Sequence, residues 1–150
     1  MKLAEALLAR ANLKRDVDEL EKLIKGNAKV QEGDTPLENA DELLKQYNEK
    51  MDEMLDIIVR INKTNNQTPF DNGTLSGAIS RMDYLKNKIY AYNGFYEAST
   101  ISHDRYSQKE IKYVRCMDAN LVRDRINEFF KELRQLDTRI QGLNWTIDLL

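Results

Sequence analysis

The C-terminal stretch from Ala119 to Leu150 carries the most regular apolar pattern in the chain. When it is aligned as heptads with Ile126 at position a, every a and d position is apolar. These positions are Ala119, Val122, Ile126, Phe129, Leu133, Leu136, Ile140, Leu143, Ile147 and Leu150. Such a series predicts one long helix, about 45 Å in length, whose apolar face other helices must cover.

Three earlier stretches show the same helical spacing. The first runs from Lys2 to Lys25, and only Arg10 interrupts its a/d positions, where we expect its charged end to reach solvent. The second starts near Leu37 and keeps an apolar a/d series, from Leu37 through Leu44 and Met51, until Ile61. The third, Leu75 to Ser99, is rich in tyrosine, which favours packed rings with hydrogen-bonded hydroxyls over a flat partner surface.

Local signals predict where these helices begin and end. Gly26 and Asn27 are typical of a helix terminus. Thr35, Pro36 and Glu38 form a capping-box pattern, which predicts that the second helix starts there. The helical spacing is lost in the polar run from residue 62 to residue 68, so we expect a loop before the third helix.

The segment from Ile101 to Met117 gives conflicting signals. Ser107 to Glu110 resembles a helix start, whereas Glu110 to Arg115 alternates with period two and contains β-branched residues. We interpret it as an extended strand, because a structureless connector of this length is unusual in a compact domain. Asp118 is then expected to cap the last helix.

The predicted fold class is all-α. Four long coiled-coil-like helices in one domain, residues 1–150, form an up-down four-helix bundle. This topology brings the first and third connectors to one end, where Lys29–Gln31 and Ile111–Val114 are predicted to pair as a short two-stranded ribbon.

The composition excludes several functional classes. A net charge of −2 gives no footprint for nucleic acid. The only cysteine cannot form an internal disulfide, and no stretch reaches the length of a membrane span. Because an acidic residue stands where a signal peptide would begin its apolar run, we predict a cytoplasmic protein.

No pattern for catalysis is present. One histidine and one cysteine supply too few ligands for a metal, and no glycine-rich phosphate loop suggests a cofactor. Cys116 and His103 are candidates for a nucleophilic pair, but a cysteine packed as a small hydrophobe is the commoner arrangement. We therefore predict no enzyme activity, no metal and no cofactor.

A cluster of polar and cationic residues in the third connector is the candidate binding site. It is suited to an anion or an acidic partner surface, and its alternative role is to brace the loop, with Arg105 against Asp104. The bracing role is the favoured one. The candidate residues are His103, Arg105, Tyr106, Lys109, Lys112 and Arg115.

Four stretches of the sequence resemble a family of small bacterial proteins of uncharacterised function, some of which are labelled "septicolysin". They are Met1–Leu8, Arg60–Asn65, Asp104–Val114 and Leu136–Thr146, with Asp-Arg-Tyr-Ser at 104–107 and Asn-Trp-Thr at 144–146 as the most specific parts. The resemblance implies a bacterial, mostly helical protein and supplies no catalytic residues.

The predicted function is that of a non-enzymatic structural or interaction protein that forms a homo-oligomer, with a dimer as the expected state. Phe130, Trp145 and Leu149 lie off the main apolar face of the last helix and favour self-association. The alternatives are a septicolysin-like lytic protein and an enzyme of unrecognised type.

Overall fold

The structure is a computed structural model that describes residues 1–101 and 111–150. It contains four helices, α1 (Leu3–Asn27), α2 (Ala40–Gln67), α3 (Leu75–Ala98) and α4 (Ala119–Asn144). Two short strands, β1 (Pro69–Phe70) and β2 (Gly73–Thr74), form an antiparallel ribbon between α2 and α3. The predicted mainly α helical bundle with a two-stranded ribbon is therefore confirmed.

The described residues divide into two compact units. One comprises Met1–Ser76 together with Gln141–Leu150, and the other comprises Gly77–Ile140. In the first unit α1 packs antiparallel against α2, and the C-terminal tail lies beside the start of α1. The second unit contains most of α3 and α4. The single domain expected over residues 1–150 stays a prediction.

Most of the buried hydrophobic residues stand at predicted apolar positions. Leu3, Val17 and Leu20 are buried on α1, and Leu85 and Ile126 are buried on α3 and α4. On α2 the buried face is rotated from the predicted one, because Leu43 and Ile57 are buried while Leu44 is exposed. Arg10 is exposed, which agrees with the prediction that its charged end reaches solvent.

The start of α2 differs from the prediction. The structure places the N-cap at Asn39, whose side-chain oxygen accepts hydrogen bonds from the amides of Asp41 and Glu42, at 2.9 and 3.3 Å. The amide of Glu38 donates instead to the side chain of Asn27, at 3.0 Å, so Glu38 belongs to the connector. The capping box at Thr35 was wrong because a second good cap residue lies four positions later.

The end of α2 also differs, because the polar run after Ile61 continues the helix to Gln67. Thr64 lies on the inner face and is fully buried. Its hydroxyl donates to the Arg60 carbonyl at 2.8 Å and accepts from the Leu150 amide at 3.0 Å. A polar residue is tolerated in the core here because both of these hydrogen bonds are made.

The predicted ribbon lies in the wrong place. Residues 29–31 and 111–116 form no regular secondary structure, and the observed ribbon closes through a two-residue turn at Asp71 and Asn72. Asp71 has a φ of 49°, a conformation that aspartate adopts more readily than most residues. The adjacent amide of Leu75 donates to the Thr68 carbonyl at 2.9 Å, which leads directly into α3.

The last helix ends at Asn144, six residues before the predicted end. The tail instead runs antiparallel to the N-terminus: the Leu3 amide donates to the Ile147 carbonyl, and the Leu149 amide donates to the Met1 carbonyl, both at 2.9 Å. Ile147 and Leu149 are half-buried while Asp148 is exposed, the alternation of a strand. Pairing with the N-terminus therefore replaces the last helical turns.

An ion pair reinforces this contact. The ammonium of Lys2 lies 2.8 Å from the Asp148 carboxylate, and this hydrogen-bonded pairing lowers the pKa of Asp148 below its ordinary value. A lowered carboxyl pKa stabilises the folded state above the unfolded pKa, and the effect is lost as the pH falls through the folded pKa. Because both groups are solvent-exposed, this contribution is small.

We expect Asn39→Ala to lower the free energy of unfolding by about 1 kcal/mol, because two amides at the start of α2 lose their acceptor. Thr35→Ala is the matched control, since the predicted cap residue makes no capping contact in α2. Urea denaturation followed by circular dichroism measures both. Equal losses in the two variants would contradict the observed helix start.

We expect Thr64→Val to lower the free energy of unfolding by about 1–2 kcal/mol, because the Leu150 amide loses the acceptor that the buried Thr64 supplies. Thr138→Val is the control. Thr138 makes the same hydrogen bond to a carbonyl four residues earlier, at 2.9 Å, but is exposed. Its substitution should change stability by less than about 0.5 kcal/mol. Equal effects in urea denaturation would show that the tail contact is not stabilising.

Candidate functional site

The structure describes two of the six predicted site residues, and their binding role stays a prediction. Lys112 and Arg115 are exposed on the segment that leads into α4. The other four lie outside the described residues: His103, Arg105, Tyr106 and Lys109. The two described cations belong to the unit that contains α3 and α4.

Local hydrogen bonds end α3 and position the start of the site. The hydroxyl of Ser99 donates to the Tyr96 carbonyl at 2.8 Å, and the hydroxyl of Thr100 donates to the same carbonyl at 3.1 Å. The amide of Ser99 donates to the Phe95 carbonyl at 3.1 Å. Carbonyls in the last turn, which lack partners within the helix, are thereby satisfied, and the chain leaves α3 in a defined direction.

Arg115 connects the segment before α4 to the end of α3. Its Nε donates to the Ser99 carbonyl at 2.9 Å. The partial negative charge of a helix C-terminus favours a cation at this position. Arg115 was predicted as a ligand-binding cation, and the structure shows that it makes a bracing contact. The residue predicted to brace the loop was Arg105, which lies outside the described residues.

Between the end of α3 and this segment lies a cavity of about 580 Å³, which we call the end cleft. Its lining is mainly apolar, and Arg115 is the one charged side chain among the described residues that form it. The lining residues are Phe95, Ala98, Ser99, Thr100, Ile101, Tyr113, Val114, Arg115, Cys116 and Met117.

Large apolar side chains project around the end cleft. Ile111, Tyr113 and Val114 are 88%, 85% and 79% exposed, and Leu121 in the first turn of α4 is 57% exposed. The α4 start itself is firmly capped, because the Asp118 carboxylate accepts from the amides of Asn120 and Leu121, at 2.9 and 3.2 Å. The predicted cap at Asp118 is thus observed. It fixes the start of the helix that follows the segment with the exposed apolar side chains.

A cluster of aromatic rings lies next to the cleft. Phe95 packs against Tyr92 with a centroid distance of 5.5 Å, and Tyr92 meets Phe129 edge-on at 5.1 Å. The ammonium of Lys88 lies 4.3 Å from the Phe129 centroid and 5.2 Å from that of Tyr84. These contacts fit the predicted packing role of the tyrosine-rich helix, and they hold Phe95 in the wall of the cleft.

The cysteine considered for catalysis is one of the residues that line the end cleft. Cys116 is exposed, and its Sγ lies 3.6 Å from the Val114 carbonyl oxygen. His103, the partner considered for it, is outside the described residues. Among residues 1–101 and 111–150, no three His, Cys, Asp or Glu side chains form a metal-binding group. Within the same residues no helix is long and apolar enough to cross a membrane.

Residues 10–149 match the model of DUF6847, a family of unknown function. The chain belongs to this family. A crystal structure described as that of a functionally unknown conserved protein from Corynebacterium diphtheriae is 43% identical in sequence, with a TM-score of 0.93. The match covers 100% of this chain and 99% of the other. No curated protein matches the chain.

These comparisons support the expected uncharacterised family and show a bacterial relative. Neither the DUF6847 family nor the Corynebacterium protein is described as a septicolysin. The label therefore stays an implication of the sequence resemblance alone.

The sequence predicted cations of this site, and it did not predict the apolar residues that line the cleft. Phe95, Ile101 and Met117 line the cleft but were not chosen as site residues. The available signal was the period-two run from Glu110 to Arg115, which contains Tyr113 and Val114 and was interpreted as a strand. Apolar residues in a run that joins no sheet are also a signal for an exposed binding surface.

We expect Cys116 to react with a thiol reagent such as 5,5′-dithiobis(2-nitrobenzoate) nearly as fast in the folded protein as in urea, because its side chain is exposed. The measurement is made at submicromolar protein, with the urea-unfolded chain as the reference. A folded-state rate slower by a hundredfold or more would contradict the exposed position.

Proposed function

We propose that this DUF6847 chain is a non-enzymatic interaction protein that self-associates through the surface around the end cleft. We call this the end surface, and it consists of the cleft together with Ile111, Lys112 and Leu121. The observation that carries the proposal is the row of apolar side chains from Ile111 to Leu121, which are exposed although they are large.

An exposed apolar row of this kind is costly to leave in water. Fully burying one such side chain contributes roughly 1.5–3 kcal/mol. Soluble monomers rarely expose contiguous apolar patches of more than a few hundred Å², and larger ones mark interaction sites. Aromatic side chains and methionine, represented here by Tyr113 and Met117, are also enriched in protein interfaces.

The end surface suits a second copy of the same chain. A twofold dimer brings one patch against itself, so the patch must supply both the projecting groups and the space that receives them. The end surface has both, since Ile111 and Tyr113 project beside a cavity of about 580 Å³.

We expect Tyr113→Asp to abolish self-association, because a charge would enter the buried centre of the interface. Light scattering at micromolar concentration should give twice the 17.5 kDa chain mass for the unaltered protein and the single mass for the variant. Tyr90→Asp is the matched control. Tyr90 is also 85% exposed but lies on α3 outside the end surface, so this variant should remain dimeric.

A chain mass of 17.5 kDa for the unaltered protein throughout the micromolar range would overturn the proposal. Dissociation by Tyr90→Asp as well would show that the end surface is not the interface. The thiol reaction of Cys116 gives an independent measurement, because a dimer should protect Cys116 and slow the reaction as the protein concentration rises.

The lytic alternative makes a different prediction for the same preparation. A lytic protein would release dye from liposomes in proportion to its concentration, whereas a self-associating interaction protein would release none. If the unaltered chain released dye and the Tyr113→Asp variant released the same amount, the result would favour lysis through a different surface.

A further inference from the structure

We propose that the end cleft binds an apolar carboxylate of the fatty-acid type. The acyl chain lies between the end of α3 and the segment before α4, and the carboxylate contacts the guanidinium of Arg115. The site combines an apolar cavity with one anchored cation, and each of these features restricts the ligand.

The cavity restricts the ligand to an apolar body. Its volume of about 580 Å³ lies within the range of 300–1,000 Å³ that is typical of small-molecule sites. Phe95, Ile101, Val114 and Met117 supply side-chain surface that does not hydrogen-bond. The hydroxyls of Ser99 and Thr100, which also line the cleft, donate to the Tyr96 carbonyl, so these two donors are already paired.

Arg115 restricts the polar end of the ligand to an anion. A guanidinium has five N–H donors, and the structure assigns one of them, on Nε, to the Ser99 carbonyl. In the described part of the chain no carboxylate pairs with Arg115. The contact with Ser99 restrains the side chain before the ligand arrives, which lowers the entropy lost on binding.

The geometry of arginine favours a carboxylate over a more highly charged group. The two terminal nitrogens of a guanidinium match the two oxygens of a carboxylate in a bidentate pair. Among the described residues no ion pair joins Asp118 to Arg115, and Asp118 Oδ1 accepts instead from the two amides that begin α4. One cation beside an apolar cavity complements a monoanion with an apolar chain, whereas phosphate groups are usually held by several donors.

The ligand and a second copy would occupy the same cleft. Binding of the carboxylate does not require self-association, but competition between the two rests on the function proposed above. In that case a fatty acid would regulate the oligomeric state, because it fills the space that receives the projecting side chains of the other copy.

The test is isothermal titration calorimetry of the full chain with decanoate, below its micelle-forming concentration. We expect saturable binding at one site per chain. Arg115→Gln should weaken it at least tenfold, since the anion loses its charged partner. Arg123→Gln is the matched control, because Arg123 is an exposed cation of the same unit that lies outside the end surface and does not line the cleft. The decanoate affinity of this variant should change less than twofold.

Decanol separates recognition of the anion from binding of the apolar chain. It should bind more weakly than decanoate to the unaltered protein, and Arg115→Gln should not change its affinity. Ala98→Leu narrows the cavity without altering Arg115, and it should weaken both ligands. Circular dichroism and thermal unfolding verify that each variant is folded before it is titrated.

Absence of decanoate binding to the unaltered, folded chain would overturn the inference. Equal affinities for decanoate and decanol, or equal losses of affinity in the Arg115 and Arg123 variants, would also overturn it. Sizing at saturating decanoate tests the competition, and dimers should dissociate. A chain that is monomeric without ligand but binds decanoate through Arg115 would refute self-association and leave the ligand site standing.

Discussion

The hydroxyl of Thr64 joins the parts of the first unit that are far apart in sequence. It donates to its own helix at Arg60 and accepts from the Leu150 amide, and Arg60 Nε donates in turn to the main-chain oxygen of Leu150. The tail so held pairs with the backbone of Met1 and Leu3. A buried polar group with every hydrogen bond made specifies one arrangement, because any displacement leaves a donor or acceptor unsatisfied.

The helices were predictable because their burial repeats with the helical period. Leu3, Val17, Leu85 and Ile126 are buried at positions that the spacing alone selects. The helix ends were less predictable, because local signals compete and tertiary contacts decide between them. Helix α2 begins after Asn39 and not at the capping pattern four residues earlier. The tail leaves the helix because its backbone forms hydrogen bonds with the backbone of the N-terminus.

The candidate site was predictable only in its charges. The notable cations of the third connector drew attention to Lys112 and Arg115, and Arg115 does line the end cleft. The apolar wall escaped prediction because Phe95 lies near the end of α3, whereas Ile101 and Met117 lie at the two ends of the connector that follows it. A heptad pattern identifies residues that pack in a helical core. It does not predict which apolar residues outside the helices stay exposed.

Stability and binding reside on different residues of this fold. The side chains that are almost completely buried, such as Leu3, Ile61 and Leu85, lie on helix faces, whereas Tyr113 and Val114 lie on a segment without regular secondary structure. Substituting an exposed residue that packs against little costs little folding energy. Variants of the end surface should therefore keep the helical fold, so a loss of binding in them reports on the surface itself rather than on unfolding.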